Sequence, residues 1–397
     1  MRFFAMHILM VSTEYPPMTG GVGRYTSNLT KSLQKLGLEI DVICSDKGNG
    51  NFSGISPGNE QNSKILLKIV DEVKPDLVHI QFEPGLYGLM LDTTYPRKSG
   101  THIDLFYIKS KTPIITTFHS LYTLREWMKN AALLKSAGKT GRLGIPARTA
   151  VRVWKRFLNY RSFQNLNKEK LQLSREGIVF SNHMYKLLGG GEIIYHGAEP
   201  AVAINPGKDE ARAFFSLPPQ EEDHKIQRIA LVLGFKTATK GWDILEKIKM
   251  PEGWTMVVNS SKGHYNTEKF ELNWDKTLNV IDLQRGYLND EDLSMLFYAS
   301  DAVILPYTVS SGSGVMFDAL AHGLPFVATD LDFFREFSLQ NLGITVQRKP
   351  ASFSRGLQNL DKNYSEYVEA VNAFKDKLKW NSVAEQHLKL YNKIISR

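Results

Sequence analysis

The sequence predicts an α/β protein of two doubly wound parallel sheets, and three observations predict it. Short apolar runs alternate with amphipathic helical patterns along the 397-residue chain, the mark of strand–helix–strand units. That length exceeds what one hydrophobic core organises, so two domains are expected. A turn-rich stretch, Glu199 to Gly207, divides two sets of such units and reads as the linker.

The elements follow in order. The opening run MRFFAMHILMVST leads directly into a strand pattern and lacks a small-residue cleavage site, so it reads as the first strand and not as a signal peptide. Strands are expected at His7 to Val11, Ile40 to Cys44, Leu77 to Gln81, Ile114 to Phe118, Ile178 to Ser181 and Ile193 to His196. The second set is Ile229 to Gly234, Thr255 to Asn259, Leu278 to Asp282, Ala302 to Leu305, Phe326 to Thr329 and Ile344 to Val346. Trp380, Val383, Leu388, Tyr391 and Ile395 recur at helical spacing, so the tail is a helix. The expected domains are residues 1–200 and 201–378, with a terminal helix over 379–397.

Composition narrows the function classes. The one cysteine, Cys44, excludes an internal disulfide and suits a reducing compartment. Asn-x-Ser/Thr sequons at Asn28, Asn51 and Asn363 matter only in a secreted protein, which nothing else suggests. No apolar run of about eighteen residues occurs, so a spanning helix is not expected. The net charge of +8 is local: residues 122–176 carry thirteen basic and three acidic side chains. Within that segment Val151, Val153, Trp154, Phe157 and Leu158 interleave with Arg152, Lys155, Arg156 and Arg161. Such a strip can lie on an anionic membrane, grip an anionic acceptor, or be a solvated basic helix packed by its apolar face. Nucleic acid is not an expected partner, since no reading module or aromatic platform accompanies the charge.

The most informative stretch is PYTVSSGSGVMFDALAHGLPFVATDL, Pro306 to Leu331. A strand enters a serine and glycine loop, Ser310 to Gly314, and a helix follows. Free backbone N–H groups at a helix start face an anion such as a diphosphate, and Asp318 lies where a carboxylate can accept from ribose hydroxyls. Glycine-rich turns also begin helices in every open α/β sheet, so the loop alone leaves phosphate site and plain connection equally open. A second glycine cluster, Gly20, Gly21 and Gly23, follows the first strand and precedes a helix. In LVLGFKTATKGWDIL, Lys236 and Lys240 stand before Gly241, either as solvated loop lysines or as fixed charges beside a departing phosphate. His119 ends a strand, where histidines are more often structural than catalytic. His79, Gln81 and Glu83 share another strand end on alternate positions. Glu83 can orient an acceptor hydroxyl, act as a weak base, or be a solvated carboxylate beside a turn.

The order LPY, serine and glycine loop, acidic residue with Ala-Leu-Ala, Gly-Leu-Pro and a strand ending Ala-Thr-Asp resembles the donor-sugar motif of retaining glycosyltransferases of GT-B fold, family four. The opening STEYPPMTGGVGRYTSNL is similar to that family's N-terminal loop. The resemblance implies two Rossmann-like domains facing across a cleft, and a final helix that crosses back to the first domain. It implies transfer of a sugar from a nucleoside diphosphate sugar to a carbohydrate or lipid-linked hydroxyl acceptor, with retention, in glycoconjugate synthesis. Donor contacts are then assigned to Gly20, Gly21, Lys236, Lys240, Ser311, Gly312, Ser313, Gly314, Val315 and Asp318. His119 and Lys240 take catalytic roles, Gln81 and Glu83 become acceptor-side candidates, and His196 and Gly197 are cleft wall or hinge.

The same resemblance implies no required metal and no cofactor, since basic residues and helix dipoles balance the leaving group's charge. A cytoplasmic place follows, with the inner face of the membrane as an option. Two departures stand out. Phe235 occupies a position where many relatives carry arginine, and Ser310 replaces the first member of an acidic pair completed by Asp318. They keep two rivals open: a sugar-nucleotide epimerase, for which no acid and base arrangement is found, and a non-catalytic nucleotide-sugar-binding or scaffold protein.

Overall fold

The computed structural model describes residues 6–91, 99–129, 145–202, 204–222, 225–261, 274 and 279–396. The chain divides into two compact units, Met1–Gly197 with Trp380–Arg397, and Ala198–Lys379.

The first unit runs β1 (His7–Val11), α1 (Gly21–Lys35), β2 (Glu39–Ile43), α2 (Asn62–Val73), β3 (Leu77–Phe82), α3 (Asp104–Lys109), β4 (Ile114–Phe118), α4 (Leu124–Lys129), α5 (Ile145–Leu173), β5 (Glu176–Val179), α6 (Asn182–Leu188) and β6 (Glu192–Ile193). Its six strands pair in parallel in the order β2-β1-β3-β4-β5-β6. Strands β3 and β4 are buried at every position, as continuous apolar runs in a sheet covered on both faces should be.

The second unit runs α7 (Lys208–Phe214), a short antiparallel pair β7 (Glu221–Glu222) and β8 (Lys225–Ile226), β9 (Arg228–Phe235), α8 (Trp242–Leu245), β10 (Trp254–Ser261), β11 (Val280–Asp282), α9 (Asp290–Tyr298), β12 (Ala302–Leu305), α10 (Gly314–Ala321), β13 (Phe326–Thr329), α11 (Asp332–Ser338), β14 (Gly343–Val346), α12 (Pro350–Lys362) and α13 (Tyr364–Phe374). Its large sheet is again parallel, in the order β11-β10-β9-β12-β13-β14. The core on one face joins Val232, Trp254, Met256 and Ile304 to Leu245, Phe353 and Leu357. A buried ionic cluster sits at the start of the central strands β9 and β12: Asp301 accepts from Arg212 at 2.7 Å, from Lys208 at 2.6 Å and from the Ile229 N–H at 2.7 Å.

The last helix, α14 (Trp380–Ile395), belongs to the first unit, where it packs on α1. Gly197 is needed there because a Cβ would stand 2.4 Å from the Trp380 ring. Most expected strands differ from the observed ones by at most two residues at an end, but Ile178 to Ser181 overlaps β5 only at Ile178 and Val179, and Ile193 to His196 overlaps β6 only at Ile193, because the chain leaves the sheet earlier at this edge; of the expected strand Leu278 to Asp282 the first residue lies outside the described residues.

Candidate active site

Both sheets reverse their strand order once, and ligands of open α/β sheets bind beyond the carboxyl ends of the strands at that reversal. In the first unit the reversal lies between β1 and β3, and in the second between β9 and β12. The glycine loop before α1 follows β1 and Glu83 follows β3, whereas the lysine loop follows β9 and the serine and glycine loop follows β12. Four of the sequence motifs therefore converge in pairs, one pair in each unit.

In the second unit the two loops are tied together. Lys240 ends a 3₁₀ turn, Ala238–Lys240, and Gly241 follows with φ +79. A Cβ on Gly241 would lie 1.9 Å from the Pro306 carbonyl oxygen, so only glycine lets the lysine loop approach the loop after β12 this closely. The Thr308 N–H donates to Thr239 O at 2.9 Å across the same junction. Lys240 Nζ sits 4.0 Å from the Tyr307 ring centroid, and Tyr307 Oη is 3.2 Å from Ser313 Oγ. Ser313 caps α10 by accepting from the Met316 N–H at 3.2 Å. One ammonium thus lies over the tyrosine ring, and one helix start meets its hydroxyl. Gly312, Gly314 and Val315 are half-exposed, while Ser311 and Asp318 are buried.

Lys236 joins its backbone N–H to Ser261 O at 2.9 Å, which places it at the rim of β9 beside β10. Phe235 stacks on Tyr287 with the rings 6.1 Å apart and 11° from parallel. An aromatic pair occupies the position where the family resemblance suggested arginine.

In the first unit the structure redirects one assignment. The positive end of α1 faces the chain's own Glu14, whose carboxylate accepts from the Gly23 N–H at 3.0 Å. Burial pushes the Glu14 carboxyl up from its usual range, and the Gly23 and Val22 N–H groups oppose that shift. A Cβ on Gly20 would fall 1.8 Å from the Glu14 carboxylate, so any side chain there would displace it. Gly21 opens onto free space and is exposed. Glu14 has no periodicity or spacing that marks it in the sequence. Its only signal is an acidic residue placed between a strand and a glycine turn.

Gln81, an acceptor-side candidate by sequence, is wholly buried, and its amide is engaged inside the unit, with Oε1 3.0 Å from His119 Nε2. Alternate strand positions share a face, and at Gln81 that face is covered in this structure. Glu83 is half-buried; burial raises its carboxyl, while Ser120 and the Gly85 N–H pull it down and Glu14 adds to the rise. His119 is packed edge-on by Tyr25 at 5.2 Å and Phe180 at 5.3 Å. Burial, with His196 nearby, lowers it to about 3, so it is neutral at physiological pH. His196 lies 4.8 Å from Tyr25 in the same aromatic group.

The basic segment is less uniform than its charge suggested. Lys170 is buried and paired with Asp104 at 2.8 Å, and Arg156 Nη1 reaches back to Met128 O at 3.5 Å. Trp154 and Val153 are exposed, at 60% and 47%, and Trp154 stacks on Phe157. Lys135, Lys139 and Arg142 lie outside the described residues. Among the described residues no helix is long and apolar enough to cross a membrane, and no three His, Cys, Asp or Glu side chains group as metal ligands.

Residues 19–161 match the model of Glycosyltransferase Family 4. An uncharacterized glycosyltransferase of Methanocaldococcus jannaschii is 23% identical over 97% of this chain and 98% of its own length. Solved structures agree on the fold. Sucrose-phosphate synthase of Thermosynechococcus elongatus superposes with a TM-score of 0.63 at 16% identity, covering 98% of this chain and 99% of that one. Anabaena HepE, solved in complex with UDP and glucose, gives 0.56 at 11% identity over 97% and 99%. The two Rossmann-like units of this chain are those of the GT-B fold.

Proposed function

We propose that this glycosyltransferase moves a sugar from a nucleoside diphosphate sugar to a hydroxyl acceptor with retention of anomeric configuration. The observation that carries the reading is the junction of the second unit, where Gly241 lets Lys240 stand beside the loop that caps α10. The leaving diphosphate gains charge as the glycosidic bond breaks, and a fixed ammonium together with helix N–H groups stabilises that charge without a proton transfer. Lys240, Ser311, Gly312, Ser313, Gly314 and Val315 hold the phosphates, with Lys236 at the rim and Asp318 toward the ribose. His119 and Gly21 serve the transferred sugar from the first unit, and Glu83 the acceptor. The uncharged state of His119 suits a hydrogen-bonding role at a centre that becomes partly positive, where an imidazolium would repel.

The donor is of the class bound by HepE, whose structure holds UDP and glucose. No metal is required in this scheme, because Lys240 and the α10 start supply the positive charge. A carbohydrate or lipid-linked acceptor fits the exposed Trp154 on the basic helix, which would bring the protein to the inner face of an anionic membrane from the cytoplasm. The Phe235–Tyr287 pair favours a second reading, binding of a nucleotide sugar without transfer, since it replaces a cation with aromatic surface. Incubating the protein with UDP, GDP and ADP sugars and acceptor membranes separates the two. Release of nucleoside diphosphate supports transfer, and saturable binding with no release supports the alternative.

A further inference from the structure

Inside the first unit a line of buried hydrogen bonds runs from the last helix to His119. Tyr391 Oη on α14 lies 2.7 Å from His79 Nδ1. His79 Nε2 lies 2.7 Å from Thr117 Oγ1 and 3.3 Å from Gln81 Nε2. Gln81 Oε1 then meets His119 Nε2 at 3.0 Å. His79, Gln81, Thr117 and Tyr391 are wholly buried, so water does not compete for these bonds.

Chemistry gives the line a direction. The Gln81 amide nitrogen stands 3.2 Å from the Met10 sulfur, a weak acceptor with no proton to give, so nitrogen and not oxygen belongs on that side. The same N–H group faces His79 Nε2, which must therefore carry a lone pair. The single proton of neutral His79 is then on Nδ1, donated to Tyr391 Oη. At the other end only the Gln81 oxygen faces His119, so His119 Nε2 carries the proton and Nδ1 the lone pair. Burial holds both histidines in the neutral form, with His387 and His119 adding to the effect on His79, and His196 to that on His119.

We propose that Gln81 is a positioning residue that holds His119 as its Nε2–H tautomer, and that Tyr391, through His79, fixes the direction of the line. His119 then presents Nδ1 as an acceptor for a hydroxyl donor and is not a proton donor. A helix at the end of the chain thereby sets the state of a strand-end histidine. The proposal rests on the reading of His119 as a site residue only for its consequence in catalysis, since the tautomer exists in the free protein.

The test is ¹⁵N–¹H long-range correlation NMR on the full chain labelled at histidine nitrogens, with His119 assigned from the spectrum of His119→Asn. The expected pattern is a neutral Nε2–H ring, unchanged from pH 5 to 9. Gln81→Leu should convert it to a mixture of tautomers, and Tyr391→Phe should do the same to His79. If Gln81→Leu does not fold, Gln81→Glu keeps the shape and an acceptor. It should retain the Nε2–H form and bring the protonation of His119 above pH 5. An Nδ1–H ring in the parent protein, no change in Gln81→Leu, or no titration in Gln81→Glu overturns the proposal. Full turnover by His119→Asn removes the catalytic role of His119 and leaves the tautomer result standing, so the two failures are told apart.

Discussion

Replacing Lys240 by methionine isolates the charge on which the proposed donor site depends. Methionine keeps an unbranched apolar stem of similar length, so the packing beside Gly241 survives and the ammonium alone is lost. In the folded protein that ammonium lies 4.0 Å from the Tyr307 ring centroid, a contact the substitution removes. A cation–π pair at a partly exposed place contributes about 0.5–1 kcal/mol. Against a bound diphosphate the same group makes a charge-assisted hydrogen bond of about 1.5–3 kcal/mol. At about 1.4 kcal/mol per tenfold, affinity for the matching nucleoside diphosphate should fall roughly 10- to 100-fold. Stability should move by less than about 1 kcal/mol. Calorimetric titration with UDP, GDP and ADP, beside urea unfolding of both proteins, reads the two quantities separately. Nucleotide affinity within twofold of the parent, at unchanged stability, would refute the placement of the phosphates at Lys240. A loss of affinity that tracks a loss of stability would show that the lysine supports the loop and not the ligand.

Further outcomes are expected elsewhere. Gly241→Ala puts a Cβ against the Pro306 carbonyl at φ +79, so urea unfolding should show a loss of at least about 1–2 kcal/mol together with weaker nucleotide binding. An unchanged midpoint would mean that the junction is loose. Asp301→Asn leaves Arg212 and Lys208 facing a neutral amide in a buried cluster, and should cost about 3–5 kcal/mol by the same measurement, with little effect on nucleotide affinity per folded molecule.

Acid should destabilise the first unit. His79 is held well below its ordinary value, and His387 is lowered to about 4 by burial. The unfolded chain takes up those protons near pH 6.5 and the folded chain does not. Stability is therefore full above pH 6.5 and declines as pH falls toward 4, by about 1.4 kcal/mol per pH unit for each histidine. His119, lowered to about 3, adds a third such group, so in thermal melts from pH 7.5 to 4.5 His387→Gln should flatten the slope by about a third.

The sequence by itself determined the α/β class, almost every strand and the loops that carry lysine, serine and glycine, because periodicity and turn chemistry belong to single segments. The run at Ala302 to Leu305 and the glycine turn before α10 needed no distant partner to be legible. The tertiary structure decided what those segments face. Strand order set which loops share a reversal point, and Gly241 could be explained only once Pro306 stood against it. Glu14 filled the start of α1, which the sequence left open to a ligand, and Gln81 turned inward to His119. His79 and Tyr391 meet across 312 positions of chain. Contacts of that separation leave no local pattern: each partner is shaped by burial against elements that only the folded sheet and its covering helices bring together.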